Sequence, residues 1–180
     1  MPRIDHLVSP GLLHFTEALQ QLPPAKLWIM IETQIVEVEP CFCLFLAGSC
    51  RHEDLGDCVS GLYERLIEAE PEAELIEAPR VYYTTFTEEG VTIEAAFPVE
   101  PSSVTGQAAS KTYPGGQVLM GIHNGSYANL HESWGYMWKA FGALNVKQRG
   151  DCWDSYVTDP NEEPDPSMWV TELCIPIELN

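Results

Sequence analysis

An α+β fold, made of a strand–helix–strand–strand unit occurring twice, is predicted by three observations. Two segments carry apolar residues at the same four helical offsets: Leu55, Val59, Leu62 and Leu66 in one, Leu130, Trp134, Met137 and Phe141 in the other. Spacing of i, i+4, i+7 and i+11 lines one face of a helix. Second, Glu94-Ala-Ala-Phe-Pro98-Val99 recurs 78 residues later as Glu172-Leu-Cys-Ile-Pro176-Ile177. Third, each helix precedes two β-rich runs with a turn between them. With two copies, the expected architecture is a pseudo-two-fold antiparallel sheet with two helices on one side. An unrepeated α+β sandwich is the alternative.

The elements follow in order. Residues 1–33 form an extension, with a helix at 10–22 ended by Pro23-Pro24 and a short apolar strand at 26–32. The first repeat spans 34–101. It opens with a strand at 35–47, bent near Pro40. A helix capped by Asp54 runs to about Ala69, where Pro71 stops it, and a hairpin pairs 80–87 with 91–99 around Glu88-Glu89-Gly90. The second repeat spans 110–178. It has a turn at Pro114-Gly115-Gly116, a strand at 117–123, a helix from about Asn129 to Leu144, and a hairpin of 152–158 with 168–177. The main domain is thus 34–180.

Charge narrows the function classes. The 180 residues include 27 Asp+Glu against 9 Lys+Arg, a net charge of −18. A phosphate-binding surface needs a basic patch, so no nucleic-acid partner is expected, and an anionic membrane is disfavoured for the same reason. Cations are drawn toward such a field. No apolar run approaches the ~20 residues of a spanning helix, and no export signal is visible, so a cytoplasmic location is expected. The six cysteines then stay reduced. Cys41-Phe-Cys43 puts two thiols on one strand face, where His52 could complete a metal site. Buried small hydrophobes are the better reading, and neither a metal nor a cofactor is expected. No nucleophile elbow, phosphate loop or HExxH spacing appears.

One carboxylate stands out. Glu172 lies mid-strand and shares a face with Val170, Cys174 and Pro176. Apolar same-face neighbours suggest an inward carboxylate, against the ordinary alternative of an edge Glu in water. Burial raises its pKa unless a cation is supplied, and a cationic ligand would supply one. Nearby rings add cation–π attraction of about 0.5–2 kcal/mol each. Trp134 and Trp138 stack along one helix side; one packs on the sheet, and Trp138 is expected to reach the site. Trp169 is placed at its mouth. Tyr82 is expected on the opposite wall, with Tyr83 as the substitute. Glu94 mirrors Glu172, as an option for a second acid in the site.

Three stretches together resemble a known family. His123-Asn-Gly125-Ser-Tyr127-Ala-Asn-Leu130, Tyr156-Val-Thr-Asp159-Pro160 and Trp169-Val-Thr171-Glu172-Leu-Cys-Ile-Pro176-Ile177 are similar, in order and spacing, to motifs of the GyrI-like small-molecule-binding family. That family includes the effector-binding domains of AraC-type and MerR-type multidrug regulators. The resemblance covers about 34–178. It implies a ligand cleft between the halves for bulky, lipophilic, often cationic compounds, lined by aromatics, with Glu172 as the acid on the last strand and Tyr156 and Tyr127 matching family positions. Some members hydrolyse strained cyclopropane-bearing compounds. If this chain did so, Glu172 would act as base and Tyr156 as proton donor. A third expectation is that segment 1–33 docks a partner or a second copy.

Overall fold

The computed structural model describes residues 31–106 and 108–179. The extension's helix, and all but the last two positions of its strand, lie outside them.

The strands are β1 (Thr33–Val38), β2 (Cys41–Cys50), β3 (Arg80–Phe86), β4 (Val91–Pro98), β5 (Ser110–Tyr113), β6 (Gly116–Asn124), β7 (Val146–Gln148), β8 (Cys152–Tyr156) and β9 (Val170–Leu179). The helices are α1 (Leu55–Ala69) and α2 (Leu130–Ala143). All nine strands join one antiparallel sheet in the order β1-β6-β9-β8-β3-β4-β2-β5, with β7 beside β9. From the central β3–β8 pair outward, the order is first hairpin strand, closing strand, opening strand on either side. This is the expected duplication, with its symmetry axis through that pair.

The strand expected at 35–47 divides at Glu39-Pro40, and each piece goes to a different half. β1 pairs with β6 of the second repeat, while β5 pairs with β2 of the first. Two-residue links thus join strands at opposite ends of the sheet order, which forces the sheet to curl until its ends meet. The links touch: a Cβ on Gly115 would lie 2.5 Å from the Val38 carbonyl and 2.6 Å from the Pro40 nitrogen. Only glycine permits that approach.

The helices seat on the convex face over separate apolar clusters. α1 buries Leu62 and Leu66 against Val81, Ile93, Leu44 and Val99. α2 buries Met137 against Leu119, Leu173, Ile175 and Ile177. Each fully buried large side chain contributes about 1.5–3 kcal/mol. Gly121 sits directly beneath Met137, and a Cβ there would lie 2.4 Å from the thioether sulfur. The concave face is filled by Cys41, Cys43, Tyr82, Ala96, Tyr113, Val118, Trp153 and Cys174.

One cap differs from expectation. Asp54 stands before α1, yet its carboxylate takes the Arg51 Nε–H at 3.0 Å and caps no helix N–H. His123, from the first family-like motif, is buried beneath the start of α2. Its Nε2 donates to the Ser126 carbonyl at 3.2 Å, which leaves Nδ1 to accept from the Ser133 hydroxyl at 2.7 Å. Among the described residues no group of three His, Cys, Asp or Glu could hold a metal. His52 instead bonds the Thr87 carbonyl at 2.7 Å.

Candidate functional site

Strand alternation sorts the candidates onto two faces. Cys152, Asp154 and Tyr156 of β8 point to the convex face, and Trp153 and Ser155 to the concave one. Across the ladders, Asp154 lies opposite Val81 and Leu173, whereas Ser155 lies opposite Arg80 and Glu172. The six expected site residues therefore divide. Tyr156, Tyr127, Trp169 and Trp138 belong to the helix-covered side, while Glu172 and Tyr82 line the concave side.

On the convex side, the floor between the two helices is Tyr83, Asp154 and Tyr156. Asp154 is completely buried. Its carboxylate accepts from the Tyr83 hydroxyl, from Trp134 Nε1 at 3.0 Å, and from Tyr156. Rings continue outward from this acid. Trp134 meets Tyr83 edge-on at 6.0 Å and lies 6.1 Å from Trp138. Tyr127 packs on Tyr156 at 5.1 Å and on Trp169 at 4.5 Å. Tyr63 of α1 reaches over to donate to the Arg80 carbonyl at 2.8 Å. Most of these rings are half-buried, and Trp138 is 44% exposed. Between the helices, then, the sheet is covered by aromatic side chains rather than by a backbone element.

The electrostatics follow from that enclosure. Burial drives the Asp154 pKa up to about 7, against the pull of the hydrogen bonds from Tyr83, Trp134 and Tyr156. Those donors are neutral, and no Lys or Arg is among the groups acting on the carboxylate. Tyr83 and Tyr156 are held well above the usual phenol range, by burial first and then by the Asp154 charge, so they remain protonated donors.

The concave side is different. Glu172 is half-buried; desolvation raises its pKa and Arg80 opposes the rise. Glu94, its counterpart, accepts from Lys111 Nζ at 2.5 Å and the Tyr113 hydroxyl at 2.7 Å. Tyr82 stacks on Tyr113 at 3.7 Å and is filled in from the other side by Trp153. At one end of this face is a cavity of about 230 Å³ whose lining includes Arg80, Lys111, Arg149, Tyr82, Tyr113 and Trp153. Glu172 does not line it. Three of the chain's nine Lys+Arg do.

Two expectations are thus revised by position. The acid enclosed by rings is Asp154, not Glu172, and the tryptophan that reaches it is Trp134, with Trp138 stacked outside. Tyr83, held as the substitute for Tyr82, is the tyrosine that bonds the buried acid. The signal for Asp154 was present in the sequence: a carboxylate alternating with Cys152 and Tyr156 in a β-rich run, the same pattern that singled out Glu172.

Comparison with known proteins places this geometry. The EcmrR chain of an EcmrR–DNA complex superposes with a TM-score of 0.77 at 15% identity, over 94% of this chain and 64% of that one. This chain therefore spans somewhat under two thirds of EcmrR. The isolated EcmrR C-terminal domain gives 0.72 at 16% identity, over 84% and 99%. SAV2435, in a structure bound to tetraphenylphosphonium, gives 0.59 at 8% identity, over 82% and 94%. A hydrolase from Listeria innocua gives 0.55 at 10%, over 82% and 92%. At these identities the likeness is one of fold. No curated protein matches the sequence. The GyrI-like small molecule binding domain matches residues 31–178, and the chain belongs to that family.

Proposed function

We propose that this small-molecule-binding domain takes bulky lipophilic cations on its helix-covered face, in the aromatic strip over Asp154. The observation that carries the reading is a charge imbalance. Glu94 is bridged to Lys111, and Arg80, paired with Glu77, still opposes the rise in the Glu172 pKa. Asp154, the most deeply buried acid, has hydrogen-bond donors but no cation. Hydrogen bonds satisfy its oxygens without neutralising its charge, and a guest cation would supply the missing charge. The surrounding rings offer faces suited to such a guest. The net charge of −18 favours its approach. SAV2435 with its tetraphenylphosphonium supports the same ligand class. The cavity on the concave face suits a cation less well, because Arg80, Lys111 and Arg149 line it against two carboxylates, Glu39 and Asp151.

Since Asp154 is enclosed, a ligand reaches it by displacing a ring, and Trp134 with its exposed neighbour Trp138 is the movable cover. Tryptophan fluorescence therefore reports binding. Titration of the full chain with tetraphenylphosphonium is expected to give a saturable change that weakens at least tenfold in Asp154→Asn and stays within twofold in Glu172→Gln. Unchanged affinity in Asp154→Asn would overturn the reading.

A second reading, hydrolysis of strained-ring compounds, is favoured by one observation: a carboxylate titrating near neutrality between two tyrosine hydroxyls is placed for proton transfer. Asp154 would then take the role of base expected of Glu172, with Tyr156 as donor. Product formed from a cyclopropane-bearing alkylator, and lost in Asp154→Asn, would establish it. Absence of product with binding retained would leave the first reading alone.

A further inference from the structure

The concave face holds a pair of nucleophiles that cation binding does not use. Cys41 and Cys43 lie at i and i+2 of β2, so both thiols point into the curled sheet, and their sulfurs are 3.6 Å apart. Cys43 is fully buried and Cys41 nearly so. Cys41 is the cross-strand partner of Tyr113, which lines the cavity beside it together with Tyr82 and Arg80. We propose that Cys41 and Cys43 form a chelating dithiol for a trivalent organoarsenical, or a thiophilic centre of the same pyramidal geometry.

The span of the two sulfurs selects the guest. A centre bonded to both at about 2.3 Å, an ordinary thiolate–metal length, subtends an angle of roughly 100° across 3.6 Å. That is a bent, pyramidal geometry. A linear two-coordinate ion would need its sulfurs about 4.6 Å apart at the same bond length. Tetrahedral zinc needs four ligands, and no group of three His, Cys, Asp or Glu exists among the described residues. A disulfide is disfavoured by the strand itself: residues i and i+2 of an extended chain are roughly 6.4–6.8 Å apart, at the upper limit for a bridge. The backbone therefore keeps the pair open and reduced. An arsenic carrying one carbon substituent needs two sulfurs and nothing more.

The site is also chemically primed. The Cys43 thiol donates to the Cys41 sulfur, and this bond pulls the Cys41 pKa down to about 7, with the Arg80 guanidinium acting in the same direction. Cys43 is pushed up and keeps its proton until the second bond forms. The reaction balances without any redox partner. With a monosubstituted arsenic(III) oxide, two As–S bonds form, the arsenic–oxygen bond is lost, and the two thiol protons leave with that oxygen as water. No atom changes oxidation state.

The test uses phenylarsine oxide and the reduced full chain, read by intact mass under native conditions. The expected product is a single adduct of one phenylarsine oxide less one water, reversed by 2,3-dimercaptopropanol. When the adduct is denatured without added thiol before alkylation, Cys41 and Cys43 resist iodoacetamide while Cys50, Cys58, Cys152 and Cys174 react as they do in the untreated denatured chain, so that burial in the native fold does not mimic protection. Cys41→Ser is expected to weaken binding at least tenfold, and Cys50→Ser to leave it unchanged. Because the wild-type protection pattern decides the matter, a poorly folding variant does not. No adduct, or protection falling on Cys50 and Cys58, would overturn the proposal. Either result leaves tetraphenylphosphonium binding over Asp154, on the other face, untouched.

Discussion

The two faces of this sheet surround their carboxylates with different partners. On the concave face a cation of the chain acts on both of the paired strand acids: Lys111 bonds Glu94, and Arg80, itself bridged to Glu77, pulls the Glu172 pKa down against desolvation. On the convex face Asp154 meets only neutral donors from Tyr83, Trp134 and Tyr156. Burial drives its pKa up to about 7, and the three hydrogen bonds only oppose that rise, because a hydrogen bond orients a dipole toward a charge without cancelling it. From that difference we infer that the convex face is the one a cationic guest would complete. Across the central strand pair, the residue opposite Asp154 is Val81, so no charge from the first repeat compensates it.

The sharpest way to break this comparison is to remove the charge and keep the shape. Asp154→Asn is expected to reduce affinity for tetraphenylphosphonium by 10- to 100-fold, the equivalent of about 1.4–2.8 kcal/mol. Calorimetric titration checks it.

Stability against pH comes next. Asp154 titrates near 7 when folded and near 3.9 when unfolded. Between those values the folded chain keeps a proton that the unfolded chain has lost. Its contribution is therefore fully present below about pH 4 and is lost as the pH rises through 7. Between pH 5 and 8 this amounts to roughly 2–3 kcal/mol. Urea midpoints at the two pH values are expected to fall more steeply in the wild type than in Asp154→Asn.

Trp134→Phe removes one donor and keeps the ring. Asp154 then titrates higher, so cation affinity at pH 7 is expected to drop about threefold and to recover by pH 8.5. A purely structural role for the indole would give a loss that pH does not restore. The smallest effect is expected for Glu172→Gln, which leaves the cation isotherm unchanged. A loss comparable to that of Asp154→Asn would exchange the roles assigned to the two faces.

Much of this was legible in the sequence. The four shared offsets placed both helices, and the repeated Glu-x-x-x-Pro located the two closing strands, β4 and β9. Alternation correctly grouped Glu172 with Cys174 and Pro176. It could not say which face the helices would cover, since a strand period of two fixes sides only relative to each other. Hence Tyr156 and Tyr127 were grouped with Glu172 although the sheet lies between them. The exchange of β1 and β5 between halves was also hidden. Pro40 signalled a bend, but only the meeting of the Glu39-Pro40 and Pro114-Gly115 links shows that the bend crosses from one repeat to the other. Asp154 is hard to single out in the sequence because Ser155 beside it makes β8 read as a polar strand end, while its enclosure depends on Trp134, twenty residues earlier in the chain.

The account rests on Asp154 becoming ionised when its guest arrives. Calorimetry of tetraphenylphosphonium binding at pH 6, in two buffers of different ionisation enthalpy, counts the protons exchanged. Release of close to one proton per cation bound, abolished in Asp154→Asn, is the predicted result. Saturable binding with no proton released, in both proteins alike, would contradict it.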